Sequence, residues 1–146
     1  MAFKIVFLIA ALGVFSGCTT VPADESNGIP PTNSTLSKNK KIAGADGKIT
    51  ITTTSTNGNR LELYIKHIGA PNRIDSRARN YIVWELPKGF SNKPQSLGPL
   101  KLDKNYTGRL NTVTPFRSFD IFITAESATN PLQPTGEKLL WTTVNR

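Results

Sequence analysis

The stretch KITITTTSTNGNRLELYIKHI, residues 48–68, constrains the fold more than any other part of the chain. Apolar and polar side chains alternate through residues 48–55, and most of them are β-branched. A period of two suits a strand with one buried face and does not suit a helix. The second run carries Leu61, Leu63, Ile65 and His67 on one side and Arg60, Glu62, Tyr64 and Lys66 on the other. Asn57-Gly58 between the runs is a strong hairpin signal. Two antiparallel strands are expected here, packed through the leucine and isoleucine side.

The same punctuation continues to the last residues. NYIVWEL (80–86) puts Ile82, Trp84 and Leu86 on one face and stops at Pro87. QSLGPLKL (95–102) is a short strand broken at Gly98-Pro99, and TGRLNTVT (107–114) stops at Pro115. FDIFITAES (119–127) and KLLWTTV (138–144) complete the series, and no amphipathic helix interrupts it. Seven short strands within residues 47–146 predict an all-β domain, an immunoglobulin-like antiparallel β-sandwich. Pro87, Pro99 and Pro115 are expected to blunt its edges. Trp84 and Trp141 are expected in the core. If one of them lay outside beside Tyr64 or Phe122, it would form an aromatic platform for a sugar or peptide.

The N-terminal residues have a different character. In MAFKIVFLIAALGVFSG (1–17), Lys4 precedes an apolar run of 11 residues from Ile5 to Phe15. A membrane-spanning helix takes about 20 residues, so this run suits the core of a signal peptide. Phe15-Ser16-Gly17-Cys18 resembles the bacterial lipobox, with Phe15 where leucine is preferred. The resemblance implies cleavage before Cys18 and lipid attachment to its thiol. Several acyl chains give stable anchoring, because each buried methylene contributes about 0.8 kcal/mol. Cys18 is the only cysteine, so the chain can form no internal disulfide. Thr19 stands where aspartate tends to retain a lipoprotein at the inner membrane, which implies the outer membrane of the cell envelope. Residues 18–46 are rich in Pro, Ser, Thr and Asn, and are expected to be a disordered tether.

The net charge is +8. Residues 47–146 hold 14 Lys plus Arg against 7 Asp plus Glu, a difference of +7, with no run of five basic residues. This balance favours anionic partners without choosing among them; nucleic acid is not expected. The densest cluster is Arg73, Arg77 and Arg79 in NRIDSRAR, a connection between strands. Three guanidiniums close together can hold a phosphate or carboxylate, although Asp75 is placed to neutralise one of them.

Candidate catalytic groups are sparse. His67 is the only histidine, so a zinc site of the usual ligand type is not expected, nor a Ser-His or Cys-His arrangement. Glu62, Glu85, Asp120 and Glu126 are scattered through strands without a spacing that selects a pair. No cofactor or metal is expected.

The motifs YIVWELPKG, SLGPLKLDKNYTGRL, FDIFITAES and QPTGEKLLW together resemble the extracytoplasmic domain of the anti-sigma-K factor family, over residues 80–141. The resemblance implies the sandwich module alone. The cytoplasmic helical domain that holds the sigma factor in that family has no counterpart in this sequence, so no sigma factor is expected as a partner. The expectation is a lipid-anchored, non-enzymatic envelope protein whose sandwich is an interaction or sensing module, its partner an envelope protein or a polyanion. The alternatives are an envelope enzyme that uses carboxylates on glycan or peptide, and a polyanion-binding surface protein.

Overall fold

The computed structural model describes residues 29–90 and 92–146. The strands, in chain order, are β1 (Thr32–Thr35), β2 (Ser37–Lys38), β3 (Asp46–Thr53), β4 (Asn59–Lys66), β5 (Asn80–Pro87), β6 (Gln95–Pro99), β7 (Lys101–Leu102), β8 (Gly108–Thr114), β9 (Ser118–Glu126) and β10 (Leu140–Asn145). They form two five-stranded antiparallel sheets. Sheet I has the order β1-β3-β4-β8-β7, and sheet II the order β2-β10-β9-β5-β6. The fold is an all-β sandwich.

The expected hairpin is β3–β4, with Ile51 opposite Leu61 and Ile49 opposite Leu63. These four side chains are fully buried or nearly so. Asn57 takes the left-handed conformation at the tip, with φ 61°. Thr54 closes the turn, because its N–H donates to Gly58 O at 2.9 Å and its hydroxyl accepts from the Gly58 N–H at 3.1 Å.

Sheet II supplies the opposing layer. Tyr81 and Val83 of β5, Phe119, Ile121 and Ile123 of β9, and Leu140 and Val144 of β10 join the sheet I residues in one core. Every residue of that core lies within residues 36–144. Pro30 is tied to the sandwich by Arg146, so a chain starting at residue 19 contains the whole core and its N-terminal tie.

Two segments pass from one sheet to the other, and they close both sides of the sandwich. In residues 32–38, β1 pairs with β3 and β2 pairs with β10; Leu36 is the residue between them. In residues 95–102, β6 pairs with β5 and β7 pairs with β8; Leu100 is the residue between them. Both leucines are core residues, 4% and 5% exposed. Each backbone N–H bonds across the gap, Leu36 to Gly47 O and Leu100 to Tyr81 O. The edges are therefore short strands that switch layers, a corner geometry that leaves little unpaired edge. Pro99 lies on such an edge; Pro87 and Pro115 instead end central strands.

The structure corrects four expectations. Residues 32–46 belong to the domain, because Leu36, Ile42 and Ala45 are core residues and β1 and β2 are edge strands. Their polar composition is that of an edge, which needs only an occasional apolar anchor. The strand expected over residues 95–102 is two strands in different sheets; with β1 and β2 added, the described residues hold ten strands where seven were expected. His67 does not continue the inward row. Its φ of 55° reverses the alternation, and Ile68 turns inward while His67 is exposed. Trp141 is 39% exposed, on the outer face of sheet II.

Candidate functional site

Trp84 is fully buried, but not between the sheets. Ile82, Trp84 and Phe122 form a second cluster on the outer face of sheet II. Trp84 and Phe122 are register neighbours with near-parallel rings 6.5 Å apart, and Trp141 is the next neighbour of Phe122. The sequence raised an aromatic platform beside Phe122; the structure places Trp141 there, with the Lys138 ammonium 4.5 Å above the Phe122 ring.

Residues 127–139 fold back on this face and are fastened by Glu126. The Glu126 carboxylate accepts from the Thr124 hydroxyl at 2.6 Å, the Thr135 N–H at 2.9 Å, the Gly136 N–H at 3.0 Å and the Thr135 hydroxyl. The Trp84 indole N–H donates to Thr124 at 2.9 Å and extends the network. Burial pushes the Glu126 carboxyl up, but these hydrogen bonds prevail and hold it below its ordinary value. Gly136 is required by close approach, since a Cβ there would lie 2.6 Å from Ala125 O. The Pro-Thr-Gly motif is thus a fastening of the loop.

Glu85 has the opposite environment. It points between the sheets, 4% exposed, and its Oε2 has no hydrogen-bond partner among the described residues. Burial raises its carboxyl above the ordinary value, and the Thr114 hydroxyl offsets this only in part. Glu85 and Glu126 therefore sit on opposite faces of sheet II. Asp120 shares the outer face with Glu126 but lies six positions away on β9, about 20 Å at roughly 3.4 Å per residue. Paired glycosidase carboxylates stand about 5–9.5 Å apart. Glu62 is on the outer face of sheet I, so the four carboxylates do not converge.

The arginine cluster lies at the end of the sandwich where β9 finishes. Arg77 pairs with Asp75 at 3.6 Å, and the Arg77 N–H donates to the same carboxylate at 2.9 Å. That backbone bond and the guanidinium hold the Asp75 carboxyl below its ordinary value. Arg79 folds back onto its own loop, donating to Ser76 O at 3.0 Å and Ala78 O at 3.1 Å. Arg73 is exposed at the end of a short 3-10 turn. Two of the three guanidiniums are thus engaged within the loop. Two adjoining cavities of about 240 and 330 Å³ flank Asp75, floored by Ala125 and Gly136. Their charged rims are internally paired, Asp75 with Arg77 and Lys41 with Glu137. Cys18 and the signal segment 1–17 lie outside the described residues.

A second group of cations lies on the outer face of sheet I, with the Asp103 carboxylate in electrostatic reach of Arg109. Strand register lines up Lys48, Tyr64, Arg109 and Lys101 across β3, β4, β8 and β7. At about 4.8 Å per strand this row spans about 14 Å. Tyr64 is its aromatic centre, with the Arg109 guanidinium 5.0 Å and the Lys66 ammonium 5.7 Å from its ring centroid. Among the described residues, no ion pair engages Lys48, Lys66, Lys101 or Arg109. A cavity of about 380 Å³ opens between Thr35, Asp46, Gly47, Lys48, Tyr64 and Lys66, with the Asp46 carboxylate paired to Lys38 at 3.2 Å. Alternation identified Tyr64 and Lys66 as outward-facing. Their cross-strand neighbours carry no signal in the sequence, because register decides them.

No protein-family model matches the chain, and no curated protein matches it. Three cations around one aromatic ring, on an exposed sheet face, suit an extended anionic chain. The cations meet its charges while the ring takes the apolar face of a sugar or similar unit.

Proposed function

We propose that this chain is a lipid-anchored, non-enzymatic envelope protein whose sandwich binds an acidic polymer on the outer face of sheet I. The Lys48–Tyr64–Arg109–Lys101 row carries this reading. Its cations are spaced across strands rather than clustered, which matches repeating charges better than a single ion. The Phe15-Ser16-Gly17-Cys18 pattern supports acylation of Cys18, and Thr19 after it supports an outer-membrane location. The resemblance of residues 80–141 to the extracytoplasmic domain of the anti-sigma-K factor family supports a sandwich used outside the cytoplasm. The partner is an acidic envelope glycan or the acidic surface of an envelope protein, and the arginine loop at 73–79 is secondary.

The test is binding to a polyuronate, a polymer of regularly spaced carboxylates, by residues 19–146. Affinity is expected to fall steeply between low and physiological salt, as screening shortens the reach of each charge. The triple change Lys48→Ala, Lys101→Ala and Arg109→Ala is expected to abolish binding, and Tyr64→Ala to weaken it. Changing Arg73, Arg77 and Arg79 to alanine is expected to leave most of it. Equal binding by the sheet variant and the parent would remove this face from consideration.

A further inference from the structure

The outer face of sheet I carries a second row beside the cations. Two positions along the strands from Lys48, Tyr64 and Arg109, register lines up Asn33, Thr50, Glu62 and Asn111 across β1, β3, β4 and β8. At about 3.4 Å per residue, the two rows run parallel and about 7 Å apart. Asn33, Glu62 and Asn111 are exposed. The Thr50 hydroxyl donates to Asn33 Oδ1 at 2.8 Å, so this end of the row is held in place by the fold.

The acids around the cations are unevenly placed. Asp46 pairs with Lys38 and stands opposite Lys66. Asp103 is in electrostatic reach of Arg109. Both lie beyond the cation row, on the side away from Glu62. Glu62 is the carboxylate of the second row, directly opposite Asn111 and Thr50. It stands diagonally from Lys48 and from Arg109, about 7–8 Å from each. Arg60 is the next outward residue on β4 and has an interaction of its own.

We infer that the ligand of this face is a uronic-acid glycan, with Glu62 and Asn111 reading its hydroxyls while the neighbouring cations hold its carboxylates. This rests on the proposal that the Lys48–Tyr64–Arg109–Lys101 row binds an acidic polymer, and it selects among such polymers. A uronic-acid chain presents carboxylates, hydroxyls and the apolar face of each sugar ring. The cations, the second row and Tyr64 supply one complement to each. A carboxylate accepts hydrogen bonds from hydroxyls, and an amide both donates and accepts. Polyphosphate brings the negative charge without a hydroxyl, and an acidic polypeptide brings carboxylates without hydroxyl or sugar ring. Against either, Glu62 meets only like charge. The selectivity therefore has a repulsive part as well as an attractive one.

The probes are polygalacturonate, polyphosphate and polyglutamate, titrated onto residues 19–146 at one low salt concentration. The parent is expected to prefer polygalacturonate at equal charge. Asn111→Ala should weaken polygalacturonate about 5-fold, the equivalent of one hydrogen bond of about 1 kcal/mol, and leave the other two unchanged. Glu62→Ala should move the probes in opposite directions. Polygalacturonate should weaken about 5-fold. Polyphosphate and polyglutamate should strengthen about 3-fold, because one like charge is removed at about 7 Å in water. Both side chains are exposed, so the denaturant midpoints should stay near the parental value. Parallel strengthening of all three probes by Glu62→Ala, or unchanged polygalacturonate binding by both variants, would overturn the inference. A parent that prefers polyglutamate would also overturn it and point to a protein partner. In each of these cases the cation row stands as the polymer site if the Lys48, Lys101 and Arg109 triple variant loses the probes that the parent binds. A parent that binds none of the three would overturn both readings.

Discussion

Leu100 occupies the space that a side chain on Gly108 would need. A Cβ on Gly108 would lie 2.2 Å from Leu100 Cδ2 and 2.7 Å from its Cγ. The other layer-switching leucine has a similar partner, since a Cβ on Gly47 would lie 3.2 Å from Leu36 Cβ. At each side of the sandwich, a leucine turns inward against a glycine of the neighbouring strand. Gly108→Ala is expected to cost about 1–3 kcal/mol through overpacking, and Leu100→Ala about 2–5 kcal/mol through the cavity it leaves. The double variant should lose less than the sum, because the shorter side chain makes room for the new methyl. Denaturant midpoints of the four chains check this, and strict additivity would contradict the contact.

Trp84→Ala should cost about 3–5 kcal/mol, although the ring lies outside the main core. Trp84→Phe keeps a six-membered ring but removes the indole donor to Thr124 and leaves a small void, and should cost less than Trp84→Ala, about 1–3 kcal/mol. An unchanged urea midpoint for Trp84→Ala would contradict the burial of this face.

Glu85 and Glu126 should give the domain opposite pH responses. Glu85 has a raised value in the folded state. Its favourable contribution is present below the ordinary carboxyl value and is lost as pH rises through the raised one. Glu126 has a lowered value. Its contribution is present above the ordinary value and is lost as pH falls through the lowered one. Glu85→Gln should therefore stabilise the domain at neutral pH and flatten the alkaline side of its stability profile. Glu126→Ala leaves the Thr135 and Gly136 N–H groups without their acceptor. It should cost about 3 kcal/mol at neutral pH and less in acid. Urea unfolding from about pH 3 to about pH 8 separates the two; parallel profiles for both variants would contradict the assignment.

Cys18→Ser should release the protein from membranes or leave its precursor uncleaved. Fractionation and intact mass of the full chain check this. Membrane retention of a Cys18→Ser chain that is cleaved and carries no acyl group would show that the lipid is not what holds it.

The sequence by itself determined the long central strands, β3, β4, β5, β8 and β9, and where they stop. Alternation in residues 48–66, the β-branched composition and the breaks at Pro87 and Pro115 are local properties, and they set the all-β class. What alternation cannot supply is the identity of the facing layer. Ile82, Trp84 and Leu86 read as one face with Trp84 in the core, yet Ile82 and Trp84 lie with Phe122 on the outer face, backed by a loop tied to Glu126. Residues 32–46 read as a tether because edge strands spend few apolar residues, and only packing shows that Leu36 and Ile42 are core. The arginines at 73–79 were visible because they are close in sequence, and close sequence neighbours satisfy one another. The row of Lys48, Tyr64, Arg109 and Lys101 was invisible for the converse reason. Its members are up to 61 positions apart, brought side by side by strand register. Register follows from burying the opposite face of the same strands, so the cationic surface is a consequence of the core and is decided only when the two sheets pack.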